Sequence, residues 1–114
     1  MALVCYHGEI PYKINQDRAN IILKTILDPN LRKVIFCIKD ESKSVSQISN
    51  ETGLSISSVY RRIRNLDKKK LLFLSGTIRL QGQREFRYKS RIRKVVVVFD
   101  KDVTDVKVYS NLRD

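Results

Sequence analysis

Apolar residues recur every three or four positions in four successive segments between residues 15 and 70, the spacing of helices that bury one face. The residue before each segment is of a type that caps helix N-termini: Asn15, Asp28, Ser44 and Ser55. Pro29 suits the first position of the second helix, and Gln47 completes a capping box with Ser44. Gly53 suits a left-handed end to the third helix, and the fourth is predicted over residues 56–69.

The period changes to two after residue 70, which indicates β-strands. The alternating apolar residues are Leu72, Leu74, Ile78 and Leu80. A hairpin is therefore predicted over residues 72–90, with its turn at Gln81-Gly82-Gln83. Phe86 and Tyr88 on the returning strand are expected to pack beneath it.

Two terminal segments complete the pattern. Residues 93–109 predict a second hairpin around Asp100-Lys101-Asp102, whereas residues 1–14 fit either a short strand or an arm lying on the body. The order predicts an α+β fold, with helices followed by two hairpins. We divide it into an N-terminal arm (1–14), a central domain (15–90) and a C-terminal hairpin extension of that domain (91–114).

The positive charge is concentrated in one part of the chain. The 114 residues fit one domain, and their net charge is +11. Residues 61–94 contain 13 Lys and Arg but only 2 acidic residues, whereas the rest of the chain has 10 of each sign. A one-sign block of this size indicates a polyanionic partner, because ordinary surfaces mix both signs.

The basic block begins on a helix that needs its other side for the core. Val59, Ile63 and Leu66 form the apolar stripe, and the face opposite them carries small hydroxyls followed by cations. Two short capped helices joined by a tight glycine turn are typical of a helix-turn-helix. An ordinary amphipathic helix pair would explain the caps and the stripe, but not why the basic block begins here and continues through the hairpin.

Three stretches resemble winged helix-turn-helix regulators of the ArsR-like type, especially small archaeal ones: ILDPNLRKVIF, SVSQISNETGLSISSVYRRIRNL and LLFLSGTIRLQGQREFRYKS. The resemblance implies a homodimer that binds double-stranded DNA, with helix 56–69 in the major groove. Hairpin 72–90, the wing, would lie on the backbone or in the minor groove. The chain departs from the family at Leu31, where arginine is usual, and near Lys70, where glycine is usual.

The resemblance and the basic face together supply the candidate DNA contacts. Those of the helix are Ser55, Ser57, Ser58, Tyr60, Arg61, Arg62, Arg64, Asn65 and Lys68. Those of the wing are Arg79, Gln81, Gln83 and Arg84. The segment SVSQISNET has no Cys or His, so the metal-sensing site of some family members is not expected. We expect no cofactor.

Other functions are less favoured by the sequence. No grouping of residues suggests an enzyme, and Cys5 and His7 alone do not make a metal site. The longest apolar runs are too short to cross a membrane, and we expect a cytoplasmic protein. A winged helix that binds RNA or another protein remains an alternative. The run Val95–Phe99 is apolar on both faces, so it either packs between the body and the N-terminal arm or forms the dimer interface.

Overall fold

The protein is described by a computed structural model that covers residues 2–8, 10–101 and 103–112. Its helices are α1 (Gln16–Leu27), α2 (Pro29–Cys37), α3 (Val45–Thr52) and α4 (Ile56–Lys68). Its strands are β1 (Ala2–His7), β2 (Ile10–Lys13), β3 (Lys43–Ser44), β4 (Leu72–Leu80), β5 (Gln83–Ser90), β6 (Ile92–Asp100) and β7 (Val103–Ser110).

Each helix begins directly after the N-capping residue that the sequence predicts. The side chains of Asn15, Asp28, Ser44 and Ser55 all accept hydrogen bonds from backbone N–H groups of the helices that they precede. The capping box of Ser44 and Gln47 is complete, and Gly53 ends α3 with φ 78°. These four helices are therefore confirmed, with α4 ending at Lys68, one residue before its predicted end.

The helices enclose a core on which the strands pack. The largest of its fully buried apolar side chains lie in α2, α3, α4 and β7, directly after α2 and directly before β4: Val34, Ile38, Ile48, Val59, Leu66, Leu71 and Val106. The hydroxyl of Ser49, in α3, donates to the carbonyl of Leu54, in the turn before α4, at 2.6 Å. The two helices of the predicted helix-turn-helix are thus held together by apolar packing, and a side-chain hydrogen bond ties α3 to the turn between them.

The wing belongs to a three-stranded sheet of order β3-β5-β4, and a bulge changes its alternation. Leu74 pairs with Tyr88 but Thr77 pairs with Phe86, so β4 has one extra residue between these pairs. Gly76, at φ 102°, lies within the bulge. Since paired residues share a face, Thr77 lies on the same face as Leu74, and residues 78 and 80 lie on the other. The regular alternation predicted through residues 72–80 is therefore wrong beyond the bulge.

The two ends of the chain form a second sheet of order β2-β1-β7-β6. The N-terminal segment forms two strands, and β1 pairs in parallel with β7, from Ala2 opposite Asp105 to Tyr6 opposite Tyr109. The predicted C-terminal hairpin is present as β6 and β7, although residue 102 of its predicted turn lies outside the described residues, as do residues 1, 9, 113 and 114.

The second sheet is attached to the helical body near the ends of its strands. The Asn111 amide donates to the carbonyls of Lys39, after α2, and Ser90, at the end of β5. The backbone N–H of Arg91 donates to the Leu71 carbonyl at 2.8 Å. Val106 and Val108 of β7 are buried against the core, so the sheet shares the hydrophobic core of the helices.

Candidate nucleic-acid interface

Helix α4 is oriented by its apolar stripe. Val59, Ile63 and Leu66 are all buried, so the opposite side of the helix faces solvent. Of the cations predicted on that side, Arg61, Arg64 and Lys68 are exposed and Arg62 is half-buried. Asn65 is exposed among them. The sequence placed these side chains correctly because the helical period alone determines which of them can reach the core.

The cations of α4 line a hollow of about 690 Å³ together with the start of α2. Its lining residues are Asp28, Leu31, Arg61, Arg62, Arg64, Asn65 and Lys68. The Asp28 carboxylate is the acidic group here, and it accepts from the backbone N–H groups of Asn30 and Leu31 at 3.0 and 3.1 Å. Within the described ranges, no carboxylate forms an ion pair with these arginines.

The serines at the N-terminus of α4 have different roles. The Ser55 oxygen accepts from the Ser58 backbone N–H at 3.2 Å and lies 3.3 Å from the Ser57 oxygen. Ser55 and Ser57 are exposed, whereas Ser58 is half-buried. Ser55 therefore caps the helix, and its hydroxyl remains able to donate to an anion at the positive end of the helix dipole.

In the wing, Arg79 and Arg84 are directly opposite each other on paired strands. Like charges in this position destabilise a hairpin unless an anion lies between them. Tyr88 shares their face, because it pairs with Leu74 and the bulge keeps Thr77 and Arg79 on that side. Burial raises the pKa of Tyr88, and the nearby Tyr60 and Asp67 of α4 raise it further. At its base the face with both arginines therefore lies near α4, through Tyr88, and Arg84 on the same face lines a cleft together with Tyr60.

The glutamines predicted as wing contacts are placed differently. Gln81 and Gly82 form the two-residue turn, with φ 48° and 81°. Gln83 pairs with Leu80, so it lies on the face opposite Arg84. The structure therefore groups the two arginines on one face and places the glutamines at the tip and on the other side.

A cleft of about 870 Å³ lies between the wing on one side and α3 with Tyr60 of α4 on the other. Tyr60 lines it opposite Gln81, Gln83 and Arg84, so this tyrosine belongs to the wing side of α4 and not to the hollow around Arg61. Phe86 also lines the cleft, and 56% of its surface is exposed. The prediction that Phe86 packs beneath the wing is therefore wrong, because Phe86 lies in this open cleft, whereas Tyr88, two residues further along β5, packs against the core.

Sequence reasoning missed three residues of this surface. Ile56, in the first turn of α4, is 45% exposed although the helical period places it near the core side. Gln47 and Asn50 of α3 line the cleft opposite the wing. Gln47 was predicted only as part of the capping box and Asn50 not at all, because their place in the cleft depends on how α3 packs beside the wing.

Residues 27–72 match the winged helix-turn-helix DNA-binding family. They run from the last residue of α1 through α2, β3, α3 and α4 to the first residue of β4. Among solved structures, the chain is similar to the crystal structure of NolR from Sinorhizobium fredii, with 22% identity and a TM-score of 0.52. The likeness covers 65% of this chain and 69% of NolR. No curated protein matches. The α+β winged-helix fold predicted from the sequence is confirmed.

The winged-helix domain shows neither a metal-binding group nor a membrane-spanning helix in the part of the chain that is described. Within it, no three His, Cys, Asp or Glu residues come close enough together to hold a metal ion. No described helix is long and apolar enough to cross a membrane. Cys5 is buried, and its thiol donates to the Tyr12 hydroxyl at 2.8 Å.

Proposed function

We propose that this protein is a sequence-specific double-stranded DNA-binding regulator of transcription that acts in the cytoplasm as a homodimer. Helix α4 would enter the major groove, and the wing would contact the backbone or the minor groove. The proposal is supported most directly by one observation: the exposed cations of α4 have no ion-pair partner in the described structure and are followed by the opposed pair Arg79 and Arg84. The ArsR-like, archaeal type stays a prediction.

The dimensions and chemistry of α4 suit a major groove. Its 13 residues form three to four turns, about 20 Å long at the usual rise. Short serines at its N-terminus let the helix approach the duplex closely, and arginine binds the O6 and N7 atoms of guanine with two hydrogen bonds. Ile56 adds an exposed apolar side chain that can contact a thymine methyl group.

Two arginine variants can test whether α4 recognises bases while the wing contacts phosphates. Arg61→Ala should cost about 1–3 kcal/mol on a selected site and relax the preference at one base pair. Arg84→Ala should weaken binding to selected and scrambled duplexes by similar factors, because phosphate contacts carry no direct base information. Both affinities are measured at one fixed salt concentration, on sites first obtained by selection from random duplex DNA.

Lys107→Ala is the matched control for these variants. Lys107 is an exposed cation of β7, outside both the α4 face and the wing, so its loss should change neither affinity more than slightly. If Arg61→Ala lowered both affinities equally while Arg84→Ala removed discrimination, α4 would not be the element that recognises bases.

A second candidate function is binding of a single-stranded nucleic acid, RNA included, in the cleft beside the wing. It is favoured by Tyr60 and Phe86, which are 48% and 56% exposed and line the same cleft as Arg84. Exposed aromatic rings stack on unpaired bases. Phe86→Ala should then lower single-strand affinity by about 1–3 kcal/mol and leave duplex affinity nearly unchanged. Tighter binding of duplex than of single strands by the wild-type protein would exclude this candidate.

A further inference from the structure

Strand β6 forms one edge of the second sheet, and that edge is unpaired within the described residues. The nine-residue strand contains no proline, and its centre from Val95 to Phe99 is entirely apolar. Val97, Val98 and Phe99 are 48%, 46% and 82% exposed. The opposite edge, β2, has four residues and contains Pro11 and Lys13, both of which discourage edge pairing. A long, apolar, unprotected edge is unusual in a monomer.

We propose that β6 pairs antiparallel with β6 of a second copy of this chain, with Val97 of one copy opposite Val97 of the other. The partner is inferred from the charge order along the strand, which is basic at Arg93 and Lys94, apolar in the centre and acidic at Asp100. An antiparallel arrangement of two such strands places the basic end of each beside the acidic end of the other. The inference specifies the interface of the homodimer proposed above, and it does not depend on what the dimer binds.

Symmetry restricts the register of the two strands. A two-fold axis perpendicular to the sheet keeps each face of both copies on the same side, so a residue must oppose one of equal parity. Centring the axis on Val97 places Lys94 opposite Asp100 of the second copy. Centring it on Val96 places Lys94 opposite Val98 of the second copy. Centring it on Val98 places Lys94 past the end of the second copy's β6. Only the Val97 register joins the charges while keeping Val95, Val97 and Phe99 of both copies on one face.

The faces of β6 also suit this register. Val95 pairs with Val108 and Val97 with Val106, so these valines lie on the face that β7 turns to the core. Pairing the two copies would extend that apolar face from one protomer into the other. On the opposite face, the Lys94 ammonium lies 5.3 Å from the centre of the Tyr109 ring, and among the described side chains no carboxylate is paired with it.

A charge exchange tests the pairing without DNA. Lys94→Glu should lose the dimer, because each new carboxylate faces Asp100 of the other copy. Asp100→Lys should lose it for the converse reason. An equimolar mixture of the two variants should form a heterodimer, and the double variant Lys94→Glu/Asp100→Lys should recover the homodimer. Molecular mass is measured by sedimentation, and thermal unfolding confirms that each variant is folded.

Cysteine cross-linking tests the register itself. Val97→Cys should give a disulfide-linked dimer on mild oxidation. Residue 97 lies on the two-fold axis, so it faces residue 97 of the second copy at a separation that a disulfide can bridge. Val98→Cys, which has matched exposure, should not cross-link, because it would face Val96. A wild-type monomer at high protein concentration overturns the proposal. So does a dimer that the charge exchange leaves intact, since that dimer would use another surface. DNA binding by a monomer would overturn the pairing and the homodimer, while the proposed binding of double-stranded DNA would still stand.

Discussion

At the scale of single residues, the C-terminal end of α4 places a lysine in a backbone conformation that favours glycine. The Lys70 N–H donates to the Asp67 carbonyl and the Leu71 N–H to the Leu66 carbonyl, which together make a Schellman motif. Lys70 has φ 56°, a conformation that glycine adopts without steric cost. The expectation of glycine near this position came from family resemblance, and the geometry supplies its physical reason. Lysine here keeps a cation in the basic block at a cost in backbone strain.

Lys70→Gly should therefore raise the free energy of unfolding by about 0.5–1 kcal/mol, since relief of the left-handed strain exceeds the entropy that a glycine loses on folding. The control is Lys68→Gly. Lys68 is also an exposed lysine, but it lies in the last turn of α4, so glycine there should lower the free energy of unfolding by a similar amount. Denaturant titration measures both, and equal signs for the two variants would contradict the assignment of strain to Lys70.

At the scale of elements, the sequence predicted those features that depend on residues close together in the chain. Caps, helical periods and the Gly53 turn depend on residues a few positions apart, and the four helices were predicted from them. The bulge in β4 and the pairing of β1 with β7 were not predicted, because they depend on contacts between distant segments. The exposure of Phe86 was not predicted for the same reason. The alternation of residues in β5 does not show which of them lie at the open cleft beside α3.

The bulge should determine how the wing presents its arginines. Gly76 has φ 102°, so Gly76→Val should destabilise the protein by about 1–3 kcal/mol or displace the bulge. Either result would disturb the common face of Arg79 and Arg84, and random-duplex affinity should fall. Gly82→Asn is the control, because asparagine tolerates the positive φ of a hairpin turn. Unfolding and affinity are measured together; a loss for Gly82→Asn as large as that for Gly76→Val would argue against a special role of the bulge.

At the scale of the whole molecule, the net charge is concentrated in one part of the chain. The elongated chain, 54 Å in its longest extent, has its net charge of +11 within residues 61–94, which cover most of α4, the wing and the start of β6. The remaining residues are neutral overall. A dimer built on β6 would carry two such basic parts, and their separation would have to match half-sites about one helical turn apart, roughly 34 Å.

The salt dependence of DNA binding tests whether this charge faces a duplex. With about five to eight phosphates contacted per subunit, the logarithm of the binding constant should fall by about 0.9 per contact for each tenfold rise in salt. Replacing both Arg79 and Arg84 by alanine should reduce that slope by about two contacts, because their predicted partners are phosphates. Arg61→Ala should lower affinity for a selected site with little change in slope, since a guanine contact releases no condensed counterion. A nearly flat salt dependence in the wild-type protein would mean that the basic block does not lie on the duplex, and it would favour a protein partner for this surface.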